Sequence, residues 1–155
     1  MSDNNISLVS LNENNKDEYF SLEIKKSQDG YVESPEESFN DMMTHAYNTD
    51  WNIDCIYADG NVIGYTMTGL NKKSNDVWLD RFMIDKHYQN KGYGTKALTM
   101  ILEKLKKIKK TKGGKDIVLS VEKHNDCAIK MYEKFGFKMT KEMDGIYPIM
   151  VLQNA

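Results

Sequence analysis

Gln89-Asn90-Lys91-Gly92-Tyr93-Gly94-Thr95 follows an apolar run, Trp78 to Ile84, and precedes a long amphipathic stretch. A strand, a glycine-bearing loop and a helix start in that order make an anion site. Glycines let the backbone approach a ligand closely, and the first-turn N–H groups of a helix have no intrahelical partner. Those donors, with the positive end of the helix dipole, suit a phosphate or pyrophosphate. On spacing alone, the same glycines also fit a turn that simply needs positive φ. Two other phosphate motifs are excluded: the chain has neither G-x-G-x-x-G after the strand nor G-x-x-x-x-G-K-[ST].

The elements that must position this loop follow from periodicity and punctuation. Ile6 to Leu11 alternates as a strand, and Asn14 to Lys26 carries Tyr19, Leu22, Glu23 and Lys26 at mixed helical spacing. Ser34-Pro35-Glu36-Glu37 is a helix start: an N-cap Ser, Pro at the first helical position and Glu at the third. Phe39, Met42, Met43, Ala46 and Tyr47 then give that helix one apolar face. Asp54 to Ala58 and Val62 to Thr68 form a hairpin around Asp59-Gly60-Asn61, and a polar turn, Asn71 to Asn75, leads into the central strand at Val77. After the glycine loop, Ala97, Leu98, Ile101, Leu105 and Ile108 share one helical face, and Gly113-Gly114 ends the helix. Asp116 to Val121 reads as a strand covered on both faces. Asn125 to Phe135 is a short helix, Phe137 to Met143 a strand, and Ile146 to Leu152 a last strand in which Pro148 signals an edge or a bulge. The order β, α, α, three-strand meander, α, β, α, β, β predicts an α/β protein with a mixed, mostly antiparallel sheet of about seven strands and helices on both faces.

Bulk properties narrow the classes. The 155 residues suit one domain, and a formal net charge of −2 argues against nucleic-acid and membrane partners. Cys55 and Cys127 have no metal-type spacing and read as reduced thiols of a cytoplasmic protein. No export signal or membrane-length apolar run is visible. The seven lysines from Lys104 to Lys115 follow the polar face of the long helix.

The loop Gln89-x-x-Gly92-x-Gly94, with Asp85-Lys86-His87-Tyr88 leading into it, resembles the acetyl-CoA loop of the GNAT superfamily of N-acetyltransferases. A second block agrees: Asn125, Ala128, Tyr132 and Gly136-Phe137 fill the family pattern N-x-x-A-x-x-x-Y-x-x-x-G-F. The element order is also that of the GNAT fold, and the resemblance spans roughly Asp54 to Leu152. It implies acetyl-CoA as co-substrate, without a metal. Gln89 to Thr95 would cradle the pyrophosphate, and the Phe82, Met83 and Ile84 backbone would pair with the pantetheine. Asn125 would contact the pantetheine arm, and Tyr132 would protonate the departing thiolate as general acid. From the residues alone, Asn125 is equally an N-cap, and Tyr132 shares a face with Ala128, Ile129 and Phe135, as core does.

Within the superfamily, Tyr31-Val32-x-Ser34-Pro35 together with the central strand and loop is similar to the bacterial spermine/spermidine (diamine) acetyltransferases. An amine acceptor sets its own physical demand. A primary amine has a pKa of about 10 and arrives at neutral pH as an ammonium that cannot attack. The enzyme must bind a cation and remove a proton, which carboxylates near the thioester accomplish directly or through water. Asp80 on the central strand stands where such subgroup members have their proposed base; its alternative is an ion pair with Arg81, although neighbours on a regular strand point to opposite faces. Glu33 is the candidate for a distal ammonium, with solvated surface as the alternative. Trp51 and Trp78 fit an aliphatic channel or ordinary core, and a homodimer stays open. Two rival functions remain: acetylation of another amine (aminoglycoside, amino acid or protein), or a non-catalytic acyl-CoA or polyamine sensor.

Overall fold

The computed structural model describes residues 5–23 and 34–153. Its elements are β1 (Ile6–Ser10), α1 (Lys16–Phe20), α2 (Pro35–Met43), a 3-10 turn (Ala46–Asn48), β2 (Thr49–Ala58), β3 (Asn61–Asn71), β4 (Val77–Ile84), α3 (Tyr93–Lys112), β5 (Ile117–Ser120), α4 (Asp126–Lys134), β6 (Phe137–Asp144) and β7 (Tyr147–Leu152). The strands form one seven-stranded sheet in the order β1-β2-β3-β4-β5-β7-β6. All neighbours are antiparallel except β4 and β5. That single parallel pair follows from its connection, because α3 carries the chain over one face and returns it in the same direction. No helix among the described residues is long and apolar enough to cross a membrane.

Each face of the sheet buries its own apolar layer. Under α3 and α4 lie Ile56, Ile63, Val77 and Leu79, packed with Ala97, Leu98, Ile101 and Leu105. Under α1 and α2 lie Trp51, Ile53, Cys55, Tyr65, Met67 and Met83, packed with Tyr19 of α1. The β2–β3 hairpin turns on Asp59 and Gly60 at φ 50° and 85°, the left-handed pair that matches the twist of a tight hairpin. Buried Asp54 reaches the opposite layer and pairs with Lys104 of α3.

The start of α2 is the capping box expected from Ser34 and Glu37, with both reciprocal bonds present. Its end is earlier than the apolar spacing predicts. Thr44 caps the helix and returns its hydroxyl to the Asn40 carbonyl at 2.9 Å, and His45 turns left-handed at φ 51°. Tyr47 therefore leaves the apolar face, 75% exposed, and Met43, the last residue of the helix, is itself 62% exposed. The first helix is also shorter than the Asn14–Lys26 expectation. The Ser21 hydroxyl bonds back to the Glu18 carbonyl, and the Glu23 N–H is taken by Asp85 across the fold; residues 24–26 lie outside the described part. Pro148 is not at an edge, since β7 lies between β5 and β6; the β6–β7 register slips between Met139 and Met143, beside the Met143–Pro148 pair.

Burial, reinforced by the Asp54 charge, pushes the Cys55 thiol up to about 12. An unfolded thiol titrates near about 8.5. Above that point the unfolded chain releases a proton that the folded chain keeps, so this contribution to stability is complete below about pH 8.5 and is lost as pH rises. Urea unfolding between pH 8 and 10 is expected to show a downward slope that is shallower in Cys55→Ala. Parallel profiles for the two proteins would contradict it.

Candidate active site

β4 and β5 pair only at Val77–Ile117 and Trp78–Val118. Past that point β5 is held by β7, through Leu119–Met150 and Ser120–Ile149, while β4 continues to Ile84 beside β3. Between the two strands lies a cavity of about 670 Å³, walled by Phe82, Met83 and Ile84 on one side and Ser120, Val121 and Glu122 on the other. Peptide groups along this length of β4 face a space that an extended ligand would fill as a strand does.

Asp80 lies in the same wall, and its placement depends on a bulge. Met67 pairs with Arg81 and Thr68 with Leu79, leaving Asp80 as the extra residue. Val77 and Leu79 face the α3 layer before the bulge, and Phe82 and Ile84 face it afterwards. The alternation therefore resets at Asp80, and Asp80 and Arg81 share the opposite side. This corrects the expectation that strand alternation would separate them: Arg81 Nε stands 3.1 Å from Asp80 Oδ2. Arg81 is only 6% exposed and also donates to Ser38 Oγ at 3.0 Å and Asp41 Oδ2 at 2.7 Å on α2. Ser38 in turn meets the Tyr65 hydroxyl at 2.7 Å. The carboxylate is thus fixed by a buried guanidinium that is itself tied to a helix.

The glycine loop sits at one end of the cavity, with Gln89, Asn90 and Gly94 in its wall. Gln89 Nε2 donates to the Ile84 carbonyl at 2.7 Å, which fastens the loop to β4. Gly92 is the N-cap of α3 at φ 84°, a conformation that only glycine adopts freely. Gly94 is different. Its φ lies outside the left-handed region, and a Cβ there would meet no protein atom within 4 Å. Nothing in the protein itself requires a glycine at this position; a ligand resting on the first turn of α3 would. Lys91, Tyr93 and Thr95 lie on the loop and first turn but outside the cavity wall, with Tyr93 packed edge-on to Tyr88 at 6.1 Å and Lys91 6.0 Å from that ring. Upstream, Asp85 is a support that motif reading passed over. Burial works to raise its pKa, but hydrogen bonds from the His87 and Glu23 N–H groups and the His87 ring outweigh burial and hold it below the usual carboxylate range.

α4 supplies the facing wall with Asn125, Ala128, Met131 and Tyr132. Asn125 is an N-cap, its Oδ1 accepting the Ala128 N–H at 3.4 Å, and the residue also lines the cavity. Tyr132 likewise packs edge-on to Phe137 at 5.7 Å and still reaches the cavity. Desolvation holds its phenol proton well above the ordinary tyrosine range, so the group is a neutral donor at physiological pH.

Trp51, Trp78, Tyr47, Asp144 and Tyr147 also line the cavity. Glu33 lies outside the described residues. The sequence gives no prior signal for Asp144, because Asp144-Gly145 reads as turn chemistry alone.

The open space at Gly94 yields a test. Gly94→Ala is expected to leave the unliganded protein at least as stable, since Gly→Ala in a compatible conformation adds about 0.4–1 kcal/mol. It should weaken acetyl-CoA by about tenfold, or roughly 1.4 kcal/mol. Gly92→Glu should abolish the acetyl-CoA-induced thermal shift. An unaltered shift in both variants would mean that the ligand does not sit on this loop.

Comparison with known proteins agrees with this geometry. The Acetyltransferase (GNAT) family matches residues 12–137. The probable spermine N(1)-acetyltransferase of Bacillus subtilis subsp. natto (strain BEST195) is 33% identical over 145 residues, covering 90% of this chain and 91% of that protein. The spermine/spermidine N(1)-acetyltransferase of Bacillus subtilis (strain 168) is 32% identical over the same length and shares. Among solved structures, the spermidine N-acetyltransferase from Vibrio cholerae in complex with CoA and spermine superimposes with a TM-score of 0.69 at 18% identity, covering 94% of this chain and 92% of that one. The PaiA N-acetyltransferase from Thermoplasma acidophilum in complex with coenzyme A gives 0.67 at 20% identity over 98% and 99%. These structural likenesses establish a shared fold, and the sequence matches establish kinship: the chain belongs to the GNAT family and is an N-acetyltransferase.

Proposed function

We propose that this protein moves the acetyl group of acetyl-CoA to a primary amine of a spermine- or spermidine-like polyamine, by direct attack in a ternary complex. The observation that carries the reading is a single cavity whose wall runs from the glycine loop, along the β4 edge and Tyr132, to a fixed carboxylate at Asp80 and an apolar stretch at Trp78. The names of the two Bacillus relatives support the choice of acceptor.

The residues divide the work by chemistry. Gln89 to Thr95 and the N-terminus of α3 would take the pyrophosphate, and the Phe82–Ile84 backbone with Asn125 would hold the pantetheine arm. An N–H of that β4 segment would donate to the thioester oxygen as negative charge develops on it. Asp80 attracts the ammonium and receives its proton, directly or through one water, which frees the nitrogen lone pair. The nitrogen then bonds to the acetyl carbon, the carbon–sulfur bond breaks, and the nitrogen gives up its remaining excess proton to water, leaving the neutral amide. Tyr132 gives its proton to the leaving sulfur and regains one from solvent.

Two substitutions separate these roles. Tyr132→Phe keeps the ring against Phe137 and removes the acid, so kcat should drop about 10²-fold or more while melting temperature and acetyl-CoA affinity stay close to wild type. Unchanged turnover would return Tyr132 to a packing role. Asp80→Asn should depress kcat at neutral pH and recover partly as pH rises toward the amine pKa of about 10, because more substrate then arrives unprotonated. A uniform loss across pH would instead assign Asp80 to holding Arg81.

A further inference from the structure

We propose that Asp144, flanked by Tyr147 and sharing a cavity wall with Tyr47, forms a subsite for the distal ammonium of the acceptor; the inference rests on the polyamine reading above. Asp144 and Tyr147 are directly opposed across the two-residue turn of the β6–β7 hairpin. Opposed residues of an antiparallel pair project from the same face, about 4.5–5.5 Å apart at Cβ, so carboxylate and ring stand side by side. Both line the cavity, as does Tyr47 of the turn before β2. Among the described residues no cation pairs with Asp144.

Tyr47 is an exposed aromatic whose backbone the fold fixes in place. Its backbone is left-handed at φ 62°, and its carbonyl is clamped by Asn71 Nδ2 at 2.8 Å and Thr49 Oγ1 at 3.2 Å. Asn71 and Thr49 are themselves in the cavity wall. A carboxylate beside tyrosine rings suits an alkylammonium, which gains both a charge contact and ring faces to lie against. The arrangement fits the rest of the site. Asp80 lies at the reacting end, Trp51 and Trp78 give the methylenes an apolar wall, and Asp144 supplies a further negative charge, while Glu122, also in the wall, accepts the His124 N–H at 2.7 Å. The cavity's cationic side chain, Arg81, is committed to Asp80, Asp41 and Ser38 and does not offset that charge. A monoamine would use only the first carboxylate, so Asp144 would read the acceptor's second charge.

The test compares kcat/KM for spermine, spermidine and n-butylamine in wild type, Asp144→Asn and Glu142→Gln. Glu142 is exposed on the same strand, lies outside the cavity wall and loses the same charge. The polyamine-over-butylamine preference is expected to fall about ten- to a hundredfold in Asp144→Asn, mainly through KM, and to hold in Glu142→Gln. If Asp144→Asn retains the wild-type preference, the subsite is overturned and the polyamine reading stands. Equal losses in both variants would also overturn it, since only the general field of the hairpin would then matter. A wild type without preference for polyamines would sink the polyamine reading, and this subsite with it.

Discussion

The parting of β4 from β5 is the constraint on which the site depends. Two pairs hold the strands together at Val77 and Trp78; from there β5 follows β7 and β4 follows β3. Backbone donors and acceptors are obligatory hydrogen-bonding groups, so a strand edge facing a cleft is an invitation to an extended partner. The other parts meet at this cleft: the glycine loop closes one end through the Gln89–Ile84 bond, and α4 brings Asn125 and Tyr132 to the facing wall. Had β5 stayed paired along β4, no room would remain for a ligand arm between them.

The bulge at Asp80 sets a carboxylate into the wall of that cleft. An extra residue in β4 places a carboxylate and a buried guanidinium on the same side, and α2 locks the guanidinium through Ser38 and Asp41. Removing one partner of a buried pair leaves an uncompensated charge, a cost of about 3–5 kcal/mol. This cost keeps Arg81, and through it Asp80, in a defined place. The helix that carries Ser38 also packs beside Tyr19, whose hydroxyl donates to the Pro35 carbonyl at 2.6 Å. The geometry around Asp80 is thus coupled to the N-terminal helices.

Much of this was legible from local signals. The capping box at Ser34, the Asp59-Gly60 turn, the apolar face of α3 and the two GNAT-like blocks each depend on residues a few positions apart, and the structure has each of them. What could not be read locally depends on register or on distant partners. The bulge is a property of how β4 meets β3, so strict alternation placed Asp80 and Arg81 on opposite faces when they share one. α2 ends early at the Thr44 cap and left-handed His45, and the chain beyond is held by distant donors, Trp51 to the Ala46 carbonyl at 2.9 Å and Asn71 to the Tyr47 carbonyl at 2.8 Å. Asp144 lines the cavity because the β6–β7 hairpin reaches it, which turn chemistry does not encode.

The central claim is that one cleft binds acetyl-CoA and a polycation together and transfers between them. Its most direct measurement is thiol release from acetyl-CoA across a panel of spermine, spermidine, an aminoglycoside, a free amino acid and a peptide amine, with the product identified by mass. The account predicts thiol release matched one-for-one by mono-acetylated polyamine, faster for spermine or spermidine than for any other member. Faster turnover of an aminoglycoside or peptide would contradict the acceptor, and binding of spermine and acetyl-CoA without thiol release would contradict catalysis itself.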